Sequence, residues 1–302
     1  MNKQSQNSPA LLAQERHEFH AELLNNGTLT VDVNGIASNA DKGNRQSVQW
    51  AGAIAAELQL ETRQEKRAGQ TTGSGFEAAC VHFLKETFPH LNHLRPGTWE
   101  ITQVGGRRAS SVAEFEQYSH LADLALLVKE VPSLRTALGN AYQIAPDIII
   151  ARHPVADNVI NSHGAIVDNE IAIYSSLREN VQSLPILHSV ISCKWTLRSD
   201  RAQNARTEAL NLIRNRKGQL PHIVVVTGEP TPSRIASLAL GTGDIDCTYH
   251  FALYELMEAV HESNNDDAQQ LLQDMIDGKH RVVRDTPWCA SARHGHLWGS
   301  AG

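Results

Sequence analysis

The sequence predicts an α/β protein with a mixed central β-sheet flanked by helices, and three observations support this. Helix-like and strand-like segments alternate along the 302 residues. Residues 188–196 and 222–229 have the short apolar runs of buried strands, and residues 201–216 between them have helical spacing. Hydrophobic residues make up 41% of the chain and charged residues 20%, which is usual for a globular protein. Together these favour a sheet covered by helices.

The elements follow in a regular order along the chain. Helices are predicted from the spacing of apolar residues at 10–25, 44–61, 73–88, 112–131, 201–216, 246–263 and 267–278. Strands are predicted from short apolar or β-branched runs at 98–104, 145–152, 188–196 and 222–229. Residues 152–185 have no clear period, and we expect a loop with a short hairpin there.

Several classes of protein are excluded. No apolar run reaches the ~18 residues of a membrane-spanning helix, and the N-terminus lacks the apolar core of a signal peptide. The cysteines, Cys80, Cys193, Cys247 and Cys289, are far apart, which argues against a disulfide framework and a zinc cluster. We therefore expect a cytoplasmic protein without a membrane partner.

The charge of the chain is segregated. The net charge is −6, which at first argues against a nucleic-acid partner. Residues 194–217, however, carry a dense run of arginines and lysines that only Asp200 and Glu208 oppose. A locally basic surface on an acidic protein is compatible with an enzyme that binds DNA and then releases it.

Two predicted strands carry the residues of a candidate active site. Asp147 follows Pro146 at the start of an apolar strand, and Lys194 interrupts the strand 188–196. Side chains alternate along a strand, so Ser192 and Lys194 share one face. If the two strands are neighbours, Asp147 and Lys194 converge, as in nucleases that hydrolyse phosphodiesters with Mg²⁺.

This pattern lacks one acid. Many such nucleases carry a carboxylate two residues before the lysine, where this chain has Ser192. The missing carboxylate must then come from another element, and Glu208 on the adjacent helix or Glu77 on an earlier one are the candidates. The pattern alone also fits a buried structural Lys–Asp pair beside a solvated arginine-rich helix.

Longer motifs resemble a known family. The stretches "ISCKWTLRSDRAQNARTEALNLIRNRKG", "APDIII", "AGQTTG", "FEAAC", "SNAD" and "HLRPGTW" are similar to those of the type II restriction endonucleases that cut DNA around a CCGG core. The resemblance extends from about residue 15 to about residue 280 and fades in 104–140, in 152–185 and in the C-terminal tail. It implies a PD-(D/E)xK restriction-endonuclease-like fold.

The resemblance also implies a domain organisation and a catalytic set. It implies one endonuclease domain over residues 1–302, with a helical N-terminal part over about 1–95 and a catalytic and recognition core over about 140–255. The implied catalytic residues are Asp147, Lys194, Glu208, Glu77 and Ser192. The implied Mg²⁺ ligands are Asp147, Glu208 and the backbone carbonyl of Cys193.

For the reading of bases, the resemblance implies six residues. Arg198 and Arg201 would donate to guanine O6 and N7, and Asp200 would accept from cytosine N4, which suits the edges of these bases in the major groove. Arg234 and Gln70 match positions that read an outer G·C pair, and Asp41 matches a minor-groove contact. These last three residues could also have a role that does not read bases. Arg234 could contact a phosphate, and Gln70 and Asp41 could cap helices. The expected target is GCCGGC, cut to leave a 5′ CCGG overhang.

The expected partners follow from the target. A palindromic site favours a protein with two-fold symmetry, and the resemblance implies a homotetramer made of two dimers. It also implies a DNA methyltransferase as a functional partner. The helix 112–131 and the C-terminal tail are candidates for the interface.

Three other hypotheses are weighed against this one. A repair or recombination nuclease with structure-based specificity would not need the whole set of base-reading residues. A non-catalytic DNA-binding protein on the same scaffold would be expected to have lost Asp147, Lys194 or Glu208, and all three are present. A purely structural α/β protein leaves the arginine run unexplained.

Overall fold

The computed structural model describes residues 9–58, 69–104, 111–131, 133, 136, 144–241, 243–278 and 283–284. Six strands lie side by side in one sheet in chain order. They are β1 (Trp99–Gln103), β2 (Ile148–Arg152), β3 (Ile186–Lys194), β4 (His222–Thr227), β5 (Cys247–His250) and β6 (Val283–Arg284). The pairs β1–β2 and β2–β3 are antiparallel, and β3 to β6 are parallel. The predicted mixed sheet is therefore confirmed.

Helices flank this sheet. They are α1 (Leu11–Asn25), α2 (Arg45–Glu57), α3 (Gly69–Thr87), α4 (His120–Glu130), α5 (Asp157–Ile160), α6 (Ser199–Asn215), α7 (Pro232–Ala239), α8 (Leu253–Glu262) and α9 (Asp266–Asp277). None of the described helices is long and apolar enough to cross a membrane.

Each face of the sheet is covered by its own apolar cluster. Ile191 and Val224 pack with aromatic residues of α1 and α3 on one face. Val190 and Val225 pack on the other face with small and aliphatic residues of α6, among them Ala205. Burial on both faces explains why the central strands are continuous apolar runs rather than alternating ones.

Two predicted helices are wrong in part. Within 246–263 the first residues form β5, because Thr248 and Tyr249 are buried and pair with β4 in parallel. Within 112–131 only α4 is an α-helix, and two 3-10 turns precede it. There the buried Gln117 side chain donates to the Leu187 carbonyl (2.8 Å) and accepts from its amide (2.9 Å), and these bonds replace a continued helix.

The segment 152–185 is ordered but contains no hairpin. It holds α5, one 3-10 turn and an isolated parallel bridge between Val155 and Arg178. Arg178 is buried and donates to the carboxylate of Asp157 through Nε (2.8 Å) and Nη2 (2.6 Å). It also donates to the carbonyls of Ile171 and Asp168, both at 2.8 Å. The side-chain hydrogen bonds of Arg178 therefore help to hold this segment, where the predicted hairpin would have had backbone hydrogen bonds between two strands.

Candidate active site

Asp147 and Lys194 meet at one end of the sheet. β2 and β3 are neighbours with Ile148 opposite Ile191, which places Asp147 beside the last residues of β3. Asp147 Oδ2 accepts hydrogen bonds from the Cys193 amide (2.7 Å) and from Lys194 Nζ (3.1 Å). The convergence predicted from the two strands is therefore present.

Glu208 reaches the same place from α6. The neighbouring Ala205 and Ala209 are buried against the sheet, and this packing turns Glu208 towards the end of β3. The Ser192 hydroxyl donates to Glu208 Oε2 at 3.1 Å. Burial, together with the charge of Asp147, raises the pKa of Glu208, and the Lys194 ammonium acts in the opposite direction.

Glu77 approaches from α3. Burial first and the charge of Asp147 second raise the pKa of Glu77, while Gln103 and Lys194 oppose the shift. The side chain of Gln103, at the end of β1, donates to Glu77 Oε2 at 3.2 Å. Four elements, α3, β1, β3 and α6, therefore place polar groups around the start of β2.

Lys194 is the cation of this cluster. Burial alone would lower the pKa of Lys194, but the carboxylates of Asp147 and Glu208 together raise it above its usual value. The ammonium is therefore held in its charged form. Three carboxylates facing one ammonium leave an excess of negative charge, which suits a bound cation.

The oxygen ligands fit a hard divalent cation that keeps some of its water. Across the residues described, no group of three histidine, cysteine, aspartate or glutamate side chains is close enough to hold a metal by itself. Both hydrogen bonds to Asp147 fall on Oδ2, so its Oδ1 is available. The N–H and C=O of one strand residue point to the same side, so the Cys193 carbonyl faces the strand of Asp147. Mg²⁺ commonly takes one or two carboxylates and completes its shell with water and substrate phosphate.

The cluster lies in a large cleft. The cleft has a volume of about 690 Å³, and its walls include Glu77, Asp147, Lys194 and Glu208. Its opposite wall is the turn-rich stretch between α1 and α2, from Gly27 to Lys42. The candidate catalytic groups therefore line a groove and do not lie on a flat surface.

Two of the three predicted base-reading residues at the start of α6, Arg198 and Arg201, line this cleft. Arg198 is the residue that caps the start of α6, and its carbonyl accepts from the Arg201 amide (3.0 Å). Arg201 Nη1 donates to the Thr196 hydroxyl at 2.7 Å. Arg198, Asp200 and Arg201 are exposed, and both arginines line the cleft.

The predicted outer-pair residues are only partly described. Arg234, in the first turn of α7, forms an ion pair with Asp41, and its Nη1 lies 3.7 Å from Glu229 Oε2. Two predicted DNA contacts, Arg234 and Asp41, are thus partners of each other here. Gln70 is in the first turn of α3, and its side chain lies outside the described residues.

The motifs did not reveal some polar residues that shape the site. Glu229 is fully buried and accepts the Leu197 amide (2.8 Å). Asn39 is fully buried and donates to the Gly228 carbonyl (2.8 Å), which fixes the far wall of the cleft to the end of β4. A signal for Glu229 exists in the sequence, because an acid ends an apolar strand there as Asp147 begins one.

Known proteins match this chain over most of its length. A family model described as the NgoMIV restriction enzyme matches residues 19–290. The protein named "Type II restriction enzyme NgoMIV" from Neisseria gonorrhoeae is 51% identical over 278 residues, which cover 92% of this chain and 97% of that protein. The resemblance to a type II restriction endonuclease is therefore confirmed.

Proposed function

Because the chain belongs to the NgoMIV restriction enzyme family and is a type II site-specific deoxyribonuclease, we propose that it cuts the sequence GCCGGC with Mg²⁺ and leaves a 5′ CCGG overhang. The observation that carries this proposal is the position of Arg198 and Arg201 in the same cleft as Asp147, Lys194 and Glu208. Groups suited to reading bases and groups suited to cutting a phosphodiester would therefore face the same DNA duplex when it is bound. One endonuclease domain over residues 1–302 follows from the same proposal.

Each residue of the cluster has a distinct task in the proposed reaction. Asp147, Glu208 and the Cys193 carbonyl would hold Mg²⁺, which would supply Lewis-acid chemistry for the phosphate and the attacking water. The Lys194 ammonium, held in place by Asp147, stabilises charge on the phosphate and orients the attacking water. Ser192 keeps the Glu208 carboxylate in position through its hydrogen bond.

Glu77 has a supporting task. It lies near Asp147, and the carboxylate of Asp147 contributes to the raised pKa of Glu77. We assign it to the outer part of the catalytic cluster, where it adds negative charge that attracts the cation. Its hydrogen bond from Gln103 (3.2 Å) ties this charge to the end of β1.

Base recognition is proposed for two main segments, the start of α6 and the start of α7, with contributions from Gln70 of α3 and from Asp41. Arg198 and Arg201 donate to guanine O6 and N7, and Asp200 accepts from cytosine N4 in the major groove. Arg234, with Gln70, reads the outer G·C pair. A guanidinium has five donors in a planar fork, so one edge of Arg234 can hold Asp41 while another edge faces a base. Asp41 then serves the minor groove from the same ion pair.

The assembly is proposed as a homotetramer of two dimers. A palindromic target favours a protein with a two-fold axis. The segment 153–185 exposes apolar side chains to solvent. Among these, Tyr174 is 91% exposed, and Ile171 and Ile166 are about equally exposed at 60% and 62%. We propose that a second copy of the chain covers this surface. A methyltransferase that protects the same site and a cytoplasmic location belong to the same proposal.

Plasmid cleavage tests the function. The protein is incubated with a plasmid that carries two GCCGGC sites, with Mg²⁺ or with Ca²⁺, beside a Lys194→Ala variant. We expect discrete fragments only for the wild type with Mg²⁺. Random degradation would contradict the specificity, and binding without any cutting would favour a non-catalytic DNA-binding protein.

A further inference from the structure

The segment that follows β4 carries a buried carboxylate without an assigned task. Glu229 has no exposed surface. It lies at the catalytic end of the sheet, because Thr227, two residues earlier, is the register partner of Lys194. A buried carboxylate is costly unless it is fully hydrogen-bonded, so its partners indicate what it does.

The partners of Glu229 come from two separate segments. Its Oε2 accepts the Leu197 amide at 2.8 Å, and its Oε1 accepts the Thr231 amide at 3.2 Å. The guanidinium of Arg234 lies 3.7 Å from Oε2. Leu197 immediately precedes Arg198, the residue that caps the start of α6. One carboxylate therefore contacts both base-reading segments.

The backbone of this segment is itself fixed. The Glu229 carbonyl lies 3.1 Å from Nε2 of the buried His250, and the Gly228 amide donates to the Lys194 carbonyl at 3.2 Å. A Cβ on Gly228 would lie 2.6 Å from the Trp195 ring, so only glycine permits this approach. Glu229 is thus held against the strand that carries Lys194.

We propose that Glu229 is a positioning residue for base recognition, which fixes the start of α6 and the Arg234 guanidinium relative to each other. Through Leu197 it sets where Arg198, Asp200 and Arg201 enter the major groove. Through Arg234 it sets the reading of the outer base pair. This inference rests on the proposed function and assigns the coupling between its two recognition segments.

A glutamine at this position would not replace the carboxylate. Two backbone amides point at the two oxygens of Glu229, and glutamine would turn an NH₂ donor towards one of them. The attraction to Arg234 would also be lost. Glu229→Gln therefore removes the contacts that position the start of α6 and Arg234, while the volume of the side chain hardly changes.

The test compares four duplexes that differ only in the outer pair: GCCGGC, ACCGGT, CCCGGG and TCCGGA. The ratio of kcat/KM between the preferred duplex and the others measures outer-pair discrimination. For Glu229→Gln we expect this ratio to fall by roughly tenfold, the size of a lost charge-assisted hydrogen bond. The matched control is Glu255→Gln, a buried acid paired with Arg16 away from the cleft, which should keep the wild-type ratio.

A double variant adds a second measurement. Arg234→Ala should lower discrimination less in the Glu229→Gln background than in the wild type, because contacting residues are not additive. An unchanged ratio in a folded Glu229→Gln variant overturns the inference. If that variant does not fold, Glu229→Asp, which keeps the charge but shortens the reach, must lower the ratio instead.

The outcomes separate this inference from the proposed function. A wild-type preference for another outer pair contradicts GCCGGC as the target, and the fall in discrimination for Glu229→Gln is still expected there. A wild type that cuts all four duplexes equally overturns the coupling to Arg234.

Discussion

Ser192 occupies a position where many metal-dependent nucleases carry a carboxylate, and in this chain its hydroxyl donates to Glu208 (3.1 Å). Ser192→Ala removes this donor and leaves the Glu208 carboxylate less well oriented. If Glu208 holds Mg²⁺ as proposed, we expect the cleavage rate to fall roughly tenfold or more, the usual loss when a hydrogen-bond partner of a metal ligand is removed. Single-turnover cleavage of GCCGGC measures the rate.

Ser189 provides a matched control for this variant. It is a buried serine of the same strand, and its hydroxyl donates to the His222 carbonyl at the opposite end of the sheet (3.2 Å). Ser189→Ala should leave the rate within about twofold of the wild type, since a neutral hydrogen bond remote from the site contributes little. Equal losses in both variants would contradict a role of Ser192 at the site.

His250 makes the stability depend on pH. Burial lowers the pKa of His250 to about 4, and its Nδ1 accepts the Ala252 amide (3.2 Å), which requires the neutral ring. The unfolded chain therefore binds more protons between about pH 6.5 and pH 4. The free energy of unfolding should be constant above about pH 6.5. As the pH is lowered from there towards 4, it should fall by about 1.4 kcal/mol per pH unit.

Urea denaturation at several pH values measures this dependence. His250→Asn keeps an uncharged polar side chain, so its free energy of unfolding should be lower but less dependent on pH between 6.5 and 5. A slope as steep as that of the wild type would assign the effect to other groups, of which buried His20 is the first candidate because burial lowers its pKa too.

At the scale of the elements, the strands with one-sided or continuous apolar runs were predictable. β2, β3 and β4 follow from local composition, and so does α6, because its buried face has helical spacing. The start of the helix at 246–263 was not predictable, since β5 is defined by its pairing with β4 and β6. Pairing between distant strands is not encoded in local spacing.

The candidate site was predictable to a similar degree. Asp147 and Lys194 could be found from strand ends, while the pattern left Glu208 and Glu77 as alternatives for the missing acid and the family resemblance implied the full set. The structure brings all four within one cleft. Glu229 and Asn39 were missed, because their partners, Leu197 and Gly228, lie in other segments. These contacts follow from tertiary packing, and although an acid at the end of an apolar strand marks Glu229 in the sequence, nothing there indicates its partners.

Arg178 makes four side-chain hydrogen bonds within the segment 153–185. Arg178→Ala removes the ion pair with Asp157, which keeps the hydrogen bond from Asn180, and it takes the arginine donor away from the carbonyls of Ile171 and Asp168. We therefore expect this segment to loosen while the sheet stays folded. Thermolysin should then cut within the segment on the order of tenfold faster, as expected when local opening becomes easier. Lys85→Ala, at an exposed site on α3, should not change the cleavage. A wild-type digestion rate for Arg178→Ala would contradict this dependence.

At the scale of the whole molecule, the exposed apolar residues of this segment predict self-association. Ile171→Glu combined with Tyr174→Glu places two charges on the surface that we propose a second copy covers. If the chain forms the proposed tetramer, we expect this variant to dissociate into dimers, because buried unpaired charges are costly. Sedimentation velocity measures the size.

Leu94→Glu is the control for this variant. Leu94 is 62% exposed but lies in the turn before β1, outside the segment. This variant should remain as large as the wild type. A wild-type assembly that stays dimeric, or a tetramer that survives both charges, would contradict the proposed interface.

The link between Leu197 and Glu229 has a consequence for the geometry of the cut. Lys194 ends β3 and Arg198 immediately precedes α6. The few residues between them are held by hydrogen bonds to the segment after β4, from the Gly228 amide to the Lys194 carbonyl and from the Leu197 amide to Glu229. This connection therefore fixes the distance between the base-reading residues and Lys194, which lies at the bond that is cut in the proposed reaction. In the proposed enzyme, the stagger between the two cuts is therefore set by the protein, and a change of target sequence would leave it unaltered.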